Sequence, residues 1–193
     1  FQPLINVIAN KANTTYGENE KQDIAIRVIA DHIRAISFSI ADGQLPSNVK
    51  AGYVIRRILR RAVRYGYTFL DLKAPFMYDL IEVLVNQLGE YFPELKSQQG
   101  LISKVIKEEE ESFLRTLKDG LKRINEMIRI SNGQISGKEV FELYDTYGFP
   151  VDLTALILKE NNLVFNQQEF NNAMNEQKLR SKKAGSIKKD DWK

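Results

Sequence analysis

The clearest structural signal in this sequence is a stretch that alternates arginine pairs with aliphatic residues: Tyr53-Val54-Ile55-Arg56-Arg57-Ile58-Leu59-Arg60-Arg61-Ala62-Val63-Arg64. An α-helix advances by about 100° per residue, so all the arginines fall within an arc of about 140° and the aliphatic residues fall outside it. This complete separation predicts an amphipathic helix, which we place over residues 49–67. Its aliphatic side is expected to pack into the core.

Further helices are predicted wherever apolar residues recur at intervals of three and four. They cover residues 22–41, 74–89, 93–130, 138–147, 151–161 and 167–183. The long segment 93–130 contains Gly100 and Gly120, weak points at which its helix could break once. Leu163-Val164-Phe165 is the best candidate strand. The predicted fold class is therefore all-α: a multi-helix bundle with one long helix and at most a very short strand pair.

The predicted domain organisation is one helical domain over residues 1–177, followed by a basic linker tail over residues 178–193. The tail carries seven Lys or Arg residues against two Asp residues, and has little to bury apart from Ile187 and Trp192. The chain opens on Phe1-Gln2-Pro3, without an initiator Met or a signal-peptide pattern. We therefore expect it to have been cut out of something longer.

Composition excludes several kinds of site. The 193 residues include no cysteine and one histidine, His32, which rules out a cysteine nucleophile, a cysteine-based zinc site and a histidine pair. No apolar run approaches the roughly 20 residues needed to cross a bilayer, so no membrane is expected as a partner. Any metal bound by this chain would need carboxylate ligands.

Charge is concentrated in one place. The whole chain has a formal net charge of +3, whereas residues 50–73 alone carry five Arg and two Lys against one Asp, or +6. Arginine suits bidentate contact with phosphate, so we favour a nucleic-acid surface. One alternative is a solvated face neutralised by the acidic run at residues 108–111, and another is a helix lying on a membrane. The membrane alternative is disfavoured because the aliphatic side of the helix is needed for the core.

Two long blocks of sequence carry a family resemblance. The first block contains Val28-Ile29-Ala30-Asp31-His32-Ile33-Arg34-Ala35-Ile36, Ile40-Ala41-Asp42-Gly43, Leu45-Pro46-Ser47-Asn48 and Gly52-Tyr53-Val54-Ile55-Arg56-Arg57-Ile58-Leu59-Arg60-Arg61-Ala62. The second is Leu143-Tyr144-Asp145-Thr146-Tyr147-Gly148-Phe149-Pro150-Val151-Asp152-Leu153-Thr154. With these blocks in this order, the chain closely resembles the bacterial-type alanyl-tRNA synthetases. The resemblance covers nearly the whole chain and is weakest after Lys182.

The resemblance implies that the chain is the helical tRNA-recognition middle of a cytoplasmic alanine–tRNA ligase. In that family a class II catalytic domain, which uses ATP with magnesium, precedes this region, and an editing domain that binds zinc follows it. We therefore expect this segment to bind no cofactor and to be inactive alone. Its expected partners are the acceptor stem of tRNA(Ala) and the catalytic and editing domains of the same chain.

The resemblance also implies roles for particular residues. Asp145 would accept a hydrogen bond from the guanine 2-amino group of a G·U wobble pair, and Asn48 would read the other base edge of that pair. The remaining expected contacts are to acceptor-stem phosphates, and they come from Lys50, Arg56, Arg57, Arg60, Arg61 and Arg64. From the residues alone, Asn48 could instead cap the arginine-rich helix, and Asp145 could be a surface carboxylate near a helix end.

Other residues are expected to be structural. His32 makes a poor metal site on its own, the acidic run at residues 108–111 is expected to be solvated helix surface, and Tyr144, Tyr147 and Phe149 are expected to pack around Asp145. Val49-Lys50-Ala51 departs from the Glu and Arg that many relatives carry before the Gly-Tyr pair. Two further hypotheses stay open: a general helical nucleic-acid binder without pair specificity, and a helical scaffold whose arginines dock an acidic protein.

Overall fold

The structure, a computed structural model, describes residues 1–131 and 133–187, and it describes side chains as far as Arg180. The helices are α1 (Gln2–Lys11), α2 (Glu20–Ala41), α3 (Lys50–Phe69), α4 (Leu80–Leu88), α5 (Pro93–Ser97), α6 (Gln99–Ile130), α7 (Gly137–Asp145), α8 (Val151–Glu160) and α9 (Gln167–Ile187). A 3-10 turn covers Met77–Asp79. Strands β1 (Gln134–Ile135) and β2 (Val164–Phe165) form a parallel pair in which Gln134 lies opposite Val164. The all-α prediction with a very short strand pair is confirmed.

Contacts within the chain divide it into two compact units, Phe1–Arg115 and Thr116–Lys193. The division falls within α6, inside the segment that we expected to form one domain. Helix α9 continues to Ile187, so the expected linker is helical over residues 178–187. The rest of that tail, residues 188–193, lies outside the described residues, and the boundary at residue 177 stays a prediction.

In the first unit, the core is built around α2. Its isoleucine stripe is almost completely buried and consists of Ile26, Ile29, Ile33, Ile36 and Ile40. Helix α2 packs against α3, α1 and α4. It starts where the side chain of Asn19 accepts hydrogen bonds from the backbone N–H groups of Lys21 and Gln22. Helix α1 was not expected from the sequence, although its apolar side, which includes Leu4 and Ile8, is also buried.

In the second unit, α7 packs against α8 and α9, and the strand pair joins the loops that precede α7 and α9. Gly120 of α6 has a packing role, because a β-carbon there would collide with the ring of Phe149, which is fully buried. Helix α6 passes through both Gly100 and Gly120 without a break. The break in residues 93–130 lies instead at Gln98, between α5 and α6. Strand β1 was not expected, because residues 131–137 are rich in turn formers.

Candidate nucleic-acid interface

The arginines of α3 divide into two rows with different surroundings. Arg56, Arg60 and Arg64 follow each other at intervals of four residues, and all three are at least half-buried. Arg57 and Arg61 lie beside them on the same helix and are exposed. The sequence pattern placed all five arginines on one face, but packing within the first unit covers one edge of that face.

The buried row is held by carboxylate and aromatic groups. The guanidinium of Arg56 pairs with both carboxylate oxygens of Glu109 on α6. The Cζ atom of Arg60 lies 5.1 Å from the ring centroid of Phe113. Arg64 is 3% exposed, and its Cζ lies 5.3 Å from the ring centroids of both Tyr65 and Phe69. Cations over aromatic faces are stabilised by the ring quadrupole, so this row contributes to the packing of the first unit.

The exposed row begins at the start of the helix. Arg57 and Arg61 lie about 40° apart on the helical wheel, Lys50 is the first residue of α3, and all three side chains are exposed. We call these three residues the cationic row. Arg57 lies 5.6 Å from the ring centroid of Tyr53, which is itself 37% exposed. Cations and an aromatic edge on one exposed strip are the groups that contact nucleic-acid phosphates and sugars.

Asn48 lies in the loop that precedes α3, and it does not cap this helix. The N-cap position is Val49, which makes no side-chain capping hydrogen bond, so the capping alternative is wrong. The exposed Asn48 side chain instead accepts a hydrogen bond through Oδ1 from Nη1 of Arg56 at 2.5 Å.

The loop that carries Asn48 is seated on the first turn of α3. The N–H of Ser47 donates to the carbonyl of Gly52 at 2.9 Å. A β-carbon at Gly52 would collide with the hydroxyl of Ser47 and the carbonyl of Leu45. Glycine at this position therefore allows the close approach that fixes the backbone just before Asn48.

The acidic run at residues 108–111 is only partly solvated. Glu108 and Glu111 are exposed, Glu109 pairs with Arg56, and Glu110 is fully buried. The expectation of a solvated run is therefore wrong for Glu110, whose carboxylate accepts hydrogen bonds from the backbone N–H groups of Phe76 and Met77. Burial raises the pKa of Glu110 to about 7, although these two hydrogen bonds act in the opposite direction.

His32 lies on α2, half-buried, with Nδ1 at 3.1 Å from a carboxylate oxygen of Asp31. Burial lowers the pKa of His32, the hydrogen bond to Asp31 raises it, and the charge of Arg61 lowers it again. Over the part of the chain that the structure describes, no three His, Cys, Asp or Glu side chains group in a way that could hold a metal ion. None of the described helices is long and apolar enough to cross a membrane.

Asp145 lies in the second unit, where it is the last residue of α7. Its carboxylate is exposed, and Oδ1 accepts a hydrogen bond from Nε2 of Gln177 on α9 at 2.9 Å. The turn that follows uses a left-handed conformation at Gly148, with φ of 62°, and then buries Phe149 against Gly120. Asp145 is therefore a surface carboxylate near a helix end, but one whose orientation is fixed by an amide partner.

The structure thus brings some of the predicted site residues into contact. It joins Asn48 to Arg56 and places Asn48 at the beginning of the cationic row, whereas Asp145 belongs to the other unit and is described there. The alternative in which the acidic run at residues 108–111 neutralises the arginines is confirmed for one pair, Arg56 with Glu109, whereas Gln177 was not expected as the partner of Asp145. Glu109 follows Arg56 by 53 positions, and only the packing of α3 near α6 shows which glutamate of the acidic run reaches Arg56.

Comparison with known proteins gives a consistent result. The family model described as tRNA synthetases class II (A) matches residues 1–193. Among similar proteins are alanine–tRNA ligases from Bacteroides fragilis and Parabacteroides distasonis, both 60% identical, and from Cytophaga hutchinsonii, 59% identical. Each match covers 100% of this chain and 22% of the relative, so the chain spans about a fifth of the length of these proteins.

Proposed function

We propose that this chain, which belongs to the class II tRNA synthetase family, is the tRNA-binding segment of an alanine–tRNA ligase. Relatives with that name are about 60% identical to it along its whole length. The reaction that we assign to the longer protein joins alanine to tRNA(Ala) at the expense of ATP. ATP with magnesium and zinc are assigned to parts of the ligase outside these 193 residues, so the isolated segment should not activate alanine.

The observation that carries this proposal is the arrangement at the start of α3. Asn48, an exposed amide, lies two residues before Lys50, which with Arg57 and Arg61 forms the exposed cationic row. Phosphate contacts position a protein on a nucleic acid, while a polar side chain beside them can reach a base edge. One helix entry thus offers both kinds of contact that acceptor-stem recognition requires.

The cationic row is our choice for the phosphate contacts. Its three side chains are exposed, whereas Arg64 is buried and Arg56 is half-buried. Arg60 is half-buried against Phe113 and is assigned a secondary role. This narrows the six phosphate contacts expected from the sequence to a strip of three.

The base pair that we assign as the target is a G·U wobble pair in the acceptor stem. In such a pair the guanine 2-amino group lacks its Watson–Crick partner, and it faces the wide, shallow minor groove of A-form RNA, where side chains can reach it. Asp145 supplies acceptor oxygens at the protein surface, and only Oδ1 is engaged by Gln177. Asn48 is assigned to the other base edge.

The test is aminoacylation by the full-length ligase of two tRNAs that differ only in G·U or G·C at the recognised position. We expect Asp145→Ala to lower kcat/KM on the G·U substrate by about 10- to 100-fold and to remove the preference for it. Asp119→Ala, which removes another exposed carboxylate of the same unit, is the matched control and should keep the preference.

Each competing hypothesis gives a different result. A general nucleic-acid binder would keep equal activity on the two tRNAs before and after the Asp145 change. It would also bind unrelated RNA with the same steep salt dependence. A scaffold for an acidic protein would show no RNA binding that depends on the cationic row. Retention of the G·U preference by Asp145→Ala would overturn the role assigned to this residue.

A further inference from the structure

The guanidinium of Arg56 uses donors on three nitrogens at once. Nε donates to Oε2 of Glu109 at 3.0 Å, Nη2 donates to Oε1 of the same carboxylate at 2.5 Å, and Nη1 donates to Oδ1 of Asn48 at 2.5 Å. The Arg56 and Glu109 side chains are 19% and 17% exposed. A bidentate pair of this kind fixes the plane of the guanidinium as well as its position.

The anchors of this pair are rigid. Arg56 lies within α3 and Glu109 lies within α6, so both backbones are held by helical hydrogen bonds. Asn48, in contrast, is exposed and lies in a loop. The loop backbone is fixed just before it by the contact of Ser47 with Gly52. The Asn48 side chain thus gains its orientation from Arg56, and Arg56 gains its orientation from Glu109.

The chemistry of the pair decides which end of the amide faces outward. A guanidinium has donors only, so Asn48 must turn its oxygen, and not its amino group, toward Arg56. The Nδ2 amino group then points away from Arg56, and among the described residues it has no hydrogen-bond partner. The exposed edge of Asn48 therefore presents N–H donors.

We infer that Arg56 and Glu109 are positioning residues that hold the amide of Asn48 so that its amino group can donate to a carbonyl oxygen of uracil. This inference rests on the proposed function, which assigns Asn48 to the G·U pair. It changes the role of Arg56 from a phosphate contact, as the sequence suggested, to a support for base reading. It also assigns a role to one residue of the acidic run, because Glu109 holds the guanidinium of Arg56 in place.

The test again uses the full-length ligase and the G·U and G·C tRNAs. Glu109→Gln removes the charge that anchors Arg56 while keeping the size of the side chain. We expect the ratio of kcat/KM for G·U over G·C to fall about tenfold, which is the loss expected for one well-placed hydrogen bond to a base. Glu108→Gln is the matched control, because it removes the same charge from the preceding, exposed position and should leave the ratio unchanged.

A double-mutant cycle identifies the route of the effect. In the Asn48→Ala background, Glu109→Gln should cause no further loss of preference, because the side chain that it positions is gone. Arg56→Lys is a second variant that keeps the positive charge but cannot hold Glu109 bidentately while also reaching Asn48. It should reproduce the effect of Glu109→Gln, and thermal unfolding of each ligase variant shows whether the protein is folded.

Two kinds of failure are distinguishable. If Asn48→Ala loses the preference while the folded Glu109→Gln and Arg56→Lys variants keep it, the positioning role is overturned and the proposed function stands. If these variants lower kcat/KM equally on both tRNAs, Arg56 supports binding or folding rather than base reading, and the inference is again overturned. If Asn48→Ala keeps the preference, the role proposed for Asn48 fails and the inference fails with it.

Discussion

The two arginine rows of α3 consist of the same residue type on the same helix, but they differ in how far they are buried. Arg56, Arg60 and Arg64 are covered, whereas Arg57 and Arg61 are exposed, although both rows have members beside aromatic rings. A single face of positive charge in the sequence thus serves two purposes in the folded protein. One row stabilises the unit and orients Asn48, and we propose that the other meets the RNA.

The acidic run on α6 shows the same division. Glu109 and Glu110 are covered within the first unit. Glu109 pairs with Arg56, and Glu110 accepts backbone hydrogen bonds from Phe76 and Met77. Glu108 and Glu111 remain exposed. Neighbouring charges of one sign therefore differ in role according to which side of their helix they occupy. Comparing variants of a covered residue and of an exposed neighbour measures that difference.

The largest difference is expected between Arg64 and Arg57. Arg64→Ala should lower the free energy of unfolding by about 2–3 kcal/mol, because a buried side chain with a long aliphatic stem is lost from among Tyr65 and Phe69. Arg57→Ala should change it by no more than about 0.5 kcal/mol. Urea unfolding followed by circular dichroism measures both. Equal effects would show that the two rows do not differ in packing.

The second difference concerns pH and contrasts Glu110 with Glu111. The pKa of Glu110 is raised to about 7 in the folded protein from an ordinary value of 4.5. The fold therefore favours the protonated form. This stabilisation is fully present below pH 4.5 and is lost as the pH rises through about 7. Its upper bound is about 3 kcal/mol.

Glu110→Gln isolates this contribution, because glutamine keeps an acceptor for the N–H groups of Phe76 and Met77 but does not ionise. The variant should be more stable than the natural protein at pH 8 and close to it at pH 4.5. Unfolding measured across this range tests the expectation, with Glu111→Gln as the exposed control. An unchanged slope against pH in Glu110→Gln would contradict it.

Sequence patterns predicted most of the helices, because the aliphatic and charged residues of α2 and α3 recur with helical spacing. The isoleucine stripe of α2 was assigned to the core and is buried there. Helix α1 was missed, although Leu4 and Ile8 carry the same spacing. Strand β1 was missed because its two residues pair with a strand 30 positions later, and no local pattern reports such a pairing.

The candidate site was less predictable than the fold. Periodicity placed five arginines on one face but could not show which of them α6 would cover, since Glu109 and Phe113 reach that face only through tertiary packing. The partner of Asp145 is likewise remote, because Gln177 lies 32 positions further along the chain. Asn48 and Asp145 were singled out from family motifs, and their roles in RNA recognition stay predictions.

The smallest expected effect per residue is the loss of tRNA affinity on changing the cationic row. This effect distinguishes the role of the row from that of Arg56. Arg57→Gln and Arg61→Gln should each weaken binding of the ligase to tRNA by about 1 kcal/mol, and should do so equally for G·U and G·C stems. When a phosphate contact is lost, fewer counterions are released from the RNA on binding. The slope of log affinity against log salt should therefore become shallower by about 0.7 to 1 per residue. Arg56→Lys keeps its charge and should leave this slope almost unchanged while the pair preference falls. If Arg57→Gln lowers the preference for G·U over G·C, or leaves the salt slope unchanged, the assignment of phosphate binding to Arg57 is contradicted.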